Sequence, residues 1–201
     1  MKVIGLCGGS GSGKGAVSRI LSEYGIPTVD TDALYRELTS RDGECMRALV
    51  SAFGTSVAMP DGSLNREQLR KIVFSGKDMD LNRDRLNKIT HAFILDYTRS
   101  LLSEYERRGI ELAVIDAPLL FESGFDKECD FTVAVIADRE TRIKRITERD
   151  GITREAAEKR INTQIPDEKL SQMVNFVITN SASKKELHVS VTELVAKIRQ
   201  S

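Results

Sequence analysis

Net charge is the first thing this sequence lacks: 30 Lys and Arg face 30 Asp and Glu, for a formal charge of +0 at pH 7. A protein that adheres to nucleic acid or to an anionic membrane through its overall field is therefore not expected, and any anion must be held by local clusters. Cysteine is also scarce. Cys7, Cys45 and Cys129 are odd in number and far apart, matching neither a disulfide framework nor a paired C-x-x-C zinc site, and they point to a reducing, cytoplasmic setting. No apolar run approaches a membrane span, and Met1-Lys2-Val3-Ile4-Gly5-Leu6 meets its glycines too early for a secretory apolar region. Repeats, low-complexity tracts and linkers are missing too, and no feature specifies an oligomeric state. What remains is ordinary: 201 residues, 40% hydrophobic and 30% charged, enough for one α/β domain.

Hydrophobic spacing gives the element order. Val3–Cys7 is a short apolar run ending in glycines, followed by Val17, Ile20, Leu21 and Tyr24 at helical spacing, which predicts strand, loop, helix. Ile26–Val29 predicts a second strand directly before Asp30-Thr31-Asp32. The middle of the chain reads as helical, through Met46, Leu49, Val50 and Phe53, then through Leu69, Ile72 and Val73 behind an Asn65-x-x-Gln68 capping-box variant. Ile89, Phe93, Tyr97, Leu101 and Tyr105 predict a long helix stopped by Gly109. Leu112–Ile115 ends at Asp116 as a buried strand, Phe131–Ile136 is a fourth, and Asn175–Thr179 a fifth. Asp138 and Thr153 are placed to cap two arginine-rich helices, and Lys184–Arg199 closes as an amphipathic helix. Strands alternating with helices predict a five-stranded parallel sheet flanked by helices, as in a three-layer P-loop fold.

The chemistry concentrates at Gly8-Gly9-Ser10-Gly11-Ser12-Gly13-Lys14, which satisfies G-x-x-x-x-G-K between a predicted strand and a predicted helix. Such a loop turns its backbone N–H groups inward on phosphates at a helix N-terminus, with Lys14 reaching the outer phosphates. Gly9 through Lys14, with Gly15 and Ala16 behind them, are thus the expected nucleotide-binding residues. Position 15 normally carries a Ser or Thr hydroxyl for Mg²⁺, and the glycine there predicts weakened metal affinity, with water filling the vacancy. Asp116, ending an apolar strand, is the candidate Mg²⁺ carboxylate, or else a cap or turn residue. Asp32 is the candidate base for an acceptor hydroxyl, with Asp30 competing and helix capping as the other reading of Asp32. Among Arg142, Arg145, Arg149, Arg154 and Arg160, most are expected on a solvated face paired with Glu148, Glu155 and Glu158; Arg145 and Arg149 are singled out as cations for the transferring phosphoryl group. His91 is read as a packing or capping histidine.

Beyond the loop, Val29-Asp30-Thr31-Asp32, Asp61 through Arg66, Asn87 through His91 and Asp116-Ala117-Pro118-Leu119-Leu120-Phe121-Glu122 make the chain resemble the dephospho-CoA kinases along nearly its whole length. The segment from Arg145 to Gln164 and Val177-Ile178-Thr179-Asn180 resemble that family's lid and adenine-side loop, which brings in Asn180 as a nucleotide contact. The resemblance implies ATP-dependent phosphorylation of the ribose 3′-hydroxyl of a small molecule, dephospho-CoA. It also implies a helical substrate-binding insertion over residues 33–108 and a lid over residues 139–165. Four departures stand out: Gly15-Ala16 for Ser-Thr, Cys7 for threonine, Ala92 for proline after His91, and Asn175 for aspartate. The last three are expected to alter packing or turns only.

Overall fold

The computed structural model describes residues 1–201 and divides into two compact units, one comprising Met1–Val29 and Tyr105–Ser201, the other Asp30–Glu104. In the first unit, β1 (Lys2–Cys7) runs through the glycine loop into α1 (Lys14–Glu23), and β2 (Thr28–Asp30) follows. The second unit holds α2 (Thr31–Leu38), α3 (Glu44–Phe53), α4 (Arg66–Val73) and most of α5 (Met79–Arg107). The chain then completes the first unit with β3 (Leu112–Asp116), β4 (Phe131–Ile136), α6 (Arg139–Asp150), α7 (Arg154–Asn162), α8 (Asp167–Met173), β5 (Phe176–Thr179) and α9 (Lys184–Gln200). The sheet order is β2-β3-β1-β4-β5 and the pairing is parallel, the fold class expected from the sequence.

A central parallel strand must be apolar on both faces, and β1 and β3 are. Ile4 and Leu6 of β1, with Leu112, Val114, Val133, Val135 and Ile178, form one buried cluster with Val17 and Leu21 of α1 and Leu187, Val191 and Ile198 of α9. On the other face Gly5 leaves room for its neighbours: a Cβ there would stand 2.8 Å from Cys129 Sγ and 2.9 Å from Leu120. Burial pushes the Cys7 and Cys129 thiols up to about 12, so both behave as small apolar side chains. Asn175 ties the starts of β4 and β5 together, its Oδ1 accepting from the Thr132 N–H at 2.8 Å and hydroxyl at 3.0 Å.

The second unit has its own core, built from Cys45, Met46, Leu49, Val57, Leu64, Leu69 and Val73. Its Asp61-Gly62 turn is closed by Asp61 Oδ1, which accepts from the Ser63 N–H at 2.9 Å and hydroxyl at 2.6 Å. Asn65 caps α4 through the Gln68 N–H at 3.0 Å, while its own N–H donates to the Val57 carbonyl, so only half of the capping box forms.

The long helix differs from its predicted stripe. Ile89 and Phe93 do pack against this core, but the fully buried row of α5 is Thr90, Ile94, Thr98 and Leu102, one residue further on, and Tyr97 is exposed. Adjacent rows of this helix lie about 100° apart, so a shift of one residue turns the buried face by more than a quarter turn. Threonine is tolerated inside because its hydroxyl can return to the preceding turn, as Thr90 does to the Leu86 carbonyl at 2.9 Å. At the end of β2 the chain passes into helix without a connecting loop. Asp30, in extended conformation, accepts from the Ala33 N–H at 2.9 Å and starts α2 at once.

Candidate active site

The glycine loop ends on a bare helix N-terminus. Gly13 is the N-cap of α1, in left-handed conformation with φ of 91°, and it offers no side-chain cap, so the amides of Lys14 and Gly15 keep their donor capacity while that of Ala16 returns to the Gly13 carbonyl at 2.8 Å. Left-handed backbone alone would favour glycine here, and space demands it as well, since a Cβ at Gly13 would run into the Asn180 amide. Gly11, with φ of 79°, is equally constrained: a Cβ there would stand 2.7 Å from the Arg142 carbonyl oxygen.

Side chains from outside the loop grip its first half. Arg142 on α6 is only 4% exposed, and its guanidinium donates from Nε to the Ser10 carbonyl at 3.0 Å, from Nη2 to Gln164 Oε1 at 2.7 Å and from Nη1 to Asp167 Oδ1 at 2.8 Å. Gln164 Oε1 also accepts the Ser10 N–H at 3.0 Å, so Ser10 is held through both of its backbone groups. Arg145 Nη1 lies 3.3 Å from both the Gly11 and Ser12 carbonyls, and the buried Asn180 donates to the Ser12 carbonyl at 2.8 Å. Arg149 lies 3.4 Å from Ser10 Oγ and pairs with Asp150 at 2.7 Å, a bond that raises its pKa above the ordinary arginine value.

At the other end, Lys14 Nζ contacts Asp116 Oδ1, and Ser18 donates from Oγ to Asp116 Oδ2 at 2.9 Å. Asp116 is 7% exposed at the C-terminal end of β3, where an open α/β sheet presents its ligand-binding groups. Gly15 is exposed, and a Cβ built on it would meet nothing within 4 Å. The residues fit a triphosphate with Mg²⁺: crowded glycine backbone and free amides for the phosphates, a lysine for their charge, and a strand-end carboxylate for the metal.

Lys14, Asp116, Arg145, Arg149 and Asn180 are thus brought to one loop by the first unit. Asp32 belongs to the other unit, in the first turn of α2; the cap of that helix is Asp30, so the capping reading of Asp32 does not hold. The arginine run bears out one expected pair, Arg154 with Glu158, and replaces the others. Arg154 pairs with Glu140 at 2.6 Å and Glu158 at 2.9 Å, Arg160 contacts Asp150, and Arg142 is no solvated residue at all. Arg142, Gln164 and Ser18 are the residues sequence reasoning missed. For Arg142 a signal existed, because it shares the buried side of α6 with Ile143 and Ile146, four residues before the latter. Ser18 likewise follows Lys14 by one helical turn.

Two cavities share Gln164 of the clamp. One of about 670 Å³ is lined by Ala137, Asp138, Arg142, Gln164, Pro166 and Ser181 among others. A smaller one of about 160 Å³ lies between Gly8-Gly9, the Pro118–Glu122 turn and Gln164-Ile165. The turn divides its leucines: Leu120 is 1% exposed and belongs to the core, whereas Leu119 is 51% exposed.

Sheet order, glycine loop and the lysine–aspartate contact place the chain among the P-loop kinases. A family model for dephospho-CoA kinase matches residues 2–186. The dephospho-CoA kinase of Geobacter sulfurreducens is 39% identical over 98% of both chains. Among solved structures, a Thermus thermophilus protein superposes with a TM-score of 0.79 at 28% identity, covering 98% of this chain and 97% of the other. Dephospho-CoA kinase from Campylobacter jejuni gives 0.72 at 21% identity, covering 98% of each, a likeness of fold. The chain belongs to the dephospho-CoA kinase family.

Proposed function

We propose that this chain transfers the γ-phosphoryl group of ATP to the ribose 3′-hydroxyl of dephospho-CoA, giving coenzyme A and ADP in the cytoplasm. The donor follows from the P-loop at the N-terminus of α1, and the acceptor from family membership along nearly the whole chain. The observation that carries the reading is the Lys14–Asp116 contact at the open end of the clamped loop, a cation for phosphate beside a carboxylate for metal.

Backbone amides between Gly9 and Ala16 would receive the phosphates, apart from those of Ser10, Ser12 and Ala16, which are already donated to Gln164, Gly9 and Gly13, and the larger cavity beside Asn180 would take the nucleoside end. Lys14, with Arg145 and Arg149 of α6, offsets the negative charge that spreads over the transferring group. Asp32 accepts the proton of the attacking hydroxyl, which leaves the oxygen free to bond to phosphorus; Asp30 is committed to its cap. Asp116 is the residue that would hold Mg²⁺, which when bound neutralises charge on the outer phosphates. Residues 33–108 form the acceptor-binding insertion and residues 139–165 the lid in this reading, α6 and α7 packing through Ile143, Ile146, Ala157 and Ile161.

A coupled ADP-release assay with dephospho-CoA, adenosine and nucleoside monophosphates tests the proposal. Selective turnover of dephospho-CoA is expected. Preference for another acceptor, or ATP binding with no turnover of any acceptor, would overturn it.

A further inference from the structure

The metal side of the P-loop is built around the missing hydroxyl of Gly15. Nothing in the fold crowds that position, since a Cβ placed there meets no atom within 4 Å. One turn further along α1, however, a hydroxyl does reach the metal carboxylate: Ser18 Oγ donates to Asp116 Oδ2 at 2.9 Å. Ser18 has one proton to give and two acceptors in reach, the other being the Lys14 carbonyl at 3.3 Å. The shorter, charge-assisted bond to the carboxylate is the stronger of the two. A carboxylate turns easily about its last torsion, whose energy wells are broad. With Lys14 on Oδ1 and Ser18 on Oδ2, the plane of the Asp116 carboxylate is set from both sides.

We propose that Ser18 is a positioning residue for the metal: it fixes the Asp116 carboxylate and thereby offsets the missing hydroxyl at position 15. Where the usual P-loop adds a second protein oxygen to Mg²⁺, this chain stiffens the carboxylate it has. Ser18 and Lys14 contact different oxygens of Asp116, so the Ser18 bond does not use the lysine as a partner. The inference rests on the reading of Asp116 as the Mg²⁺ carboxylate.

The test is calorimetric ATP binding, in EDTA and across a Mg²⁺ series, for the wild type, Ser18→Ala and Ser18→Thr, with thermal melting to establish that each variant is folded. Ser18→Ala should raise the Mg²⁺ concentration for half-maximal gain in ATP affinity about tenfold, the effect of losing one hydrogen bond to a charged group, and leave binding in EDTA unchanged. Ser18→Thr keeps the hydroxyl and should match the wild type. Equal loss of affinity with and without Mg²⁺ in Ser18→Ala would assign the hydroxyl to the loop or helix and overturn the proposal, as would an unchanged Mg²⁺ dependence or a Ser18→Thr that behaves like Ser18→Ala. A wild type whose ATP affinity ignores Mg²⁺ would remove the reading of Asp116 itself, and the role of Ser18 with it.

Discussion

From Ser10 to Ser12 the P-loop is gripped by Arg142, Gln164, Arg145 and Asn180, side chains that arrive from α6 and from the segments after α7 and β5. At the other end Lys14 contacts Asp116, Ser18 donates to the same carboxylate, and the residue after Lys14 is an exposed glycine with no side chain. The first half is therefore tied to the fold by side-chain hydrogen bonds, an arrangement that lowers the entropic cost of ordering a phosphate cradle. In the proposed reading the second half is left for phosphate and metal to complete. Binding of the triphosphate and its transfer are thus separable by mutation, and the two ends of the loop should respond differently.

The largest effect belongs to the open end. Lys14→Ala should lower kcat by about 10³-fold, the scale for losing a charge that stabilises the transferring phosphoryl group, with the circular dichroism spectrum unchanged. Breaking the clamp instead costs stability: Arg142→Ala strands Asp167 and frees Ser10, and urea denaturation should show a loss of about 3 kcal/mol. Arg142→Lys should recover little of it, because a point charge cannot serve three acceptors as a planar fork does. Gly15→Ser should lower the Mg²⁺ concentration needed for half-maximal turnover several-fold; an unchanged Mg²⁺ titration would show that the vacancy has no consequence. The smallest effect concerns the start of the clamping helix. Asp138 caps α6, and hydrogen bonds from Thr141 and then Ser181 hold its pKa at about 2, below the ordinary 3.8. A depressed carboxylate pKa adds stability above the unfolded value that disappears as pH falls through the folded one, so this contribution is intact above about pH 4 and lost toward pH 2. Asp138→Asn should flatten that part of the acid-unfolding profile.

The open end was far more legible than the clamp. Gly8 to Lys14 announce themselves because the loop is local: strand, glycines, lysine and helix lie within twenty-odd residues, and each type has a backbone reason to be there. Asp116 was legible as the polar end of an apolar run. The clamp joins residues more than a hundred positions apart, and Arg142 sits in a run whose composition describes a solvated face. Only its register with Ile143 and Ile146 betrayed its burial, and charge outweighed register in the reading. On α5 the reverse happened, as a row of large apolar residues drew attention from the adjacent row in which two threonines are buried. Side-chain chemistry misled in both places, and for Arg142 helical register held the better signal.

The most direct test locates the phosphate that the enzyme adds. After incubation with ATP, Mg²⁺ and dephospho-CoA, phosphorus and proton NMR of the product should place the new phosphate on the ribose 3′-oxygen, and Asp32→Asn should slow its appearance without abolishing ATP binding. A phosphate on any other oxygen, or none formed while another acceptor is phosphorylated, would contradict the account.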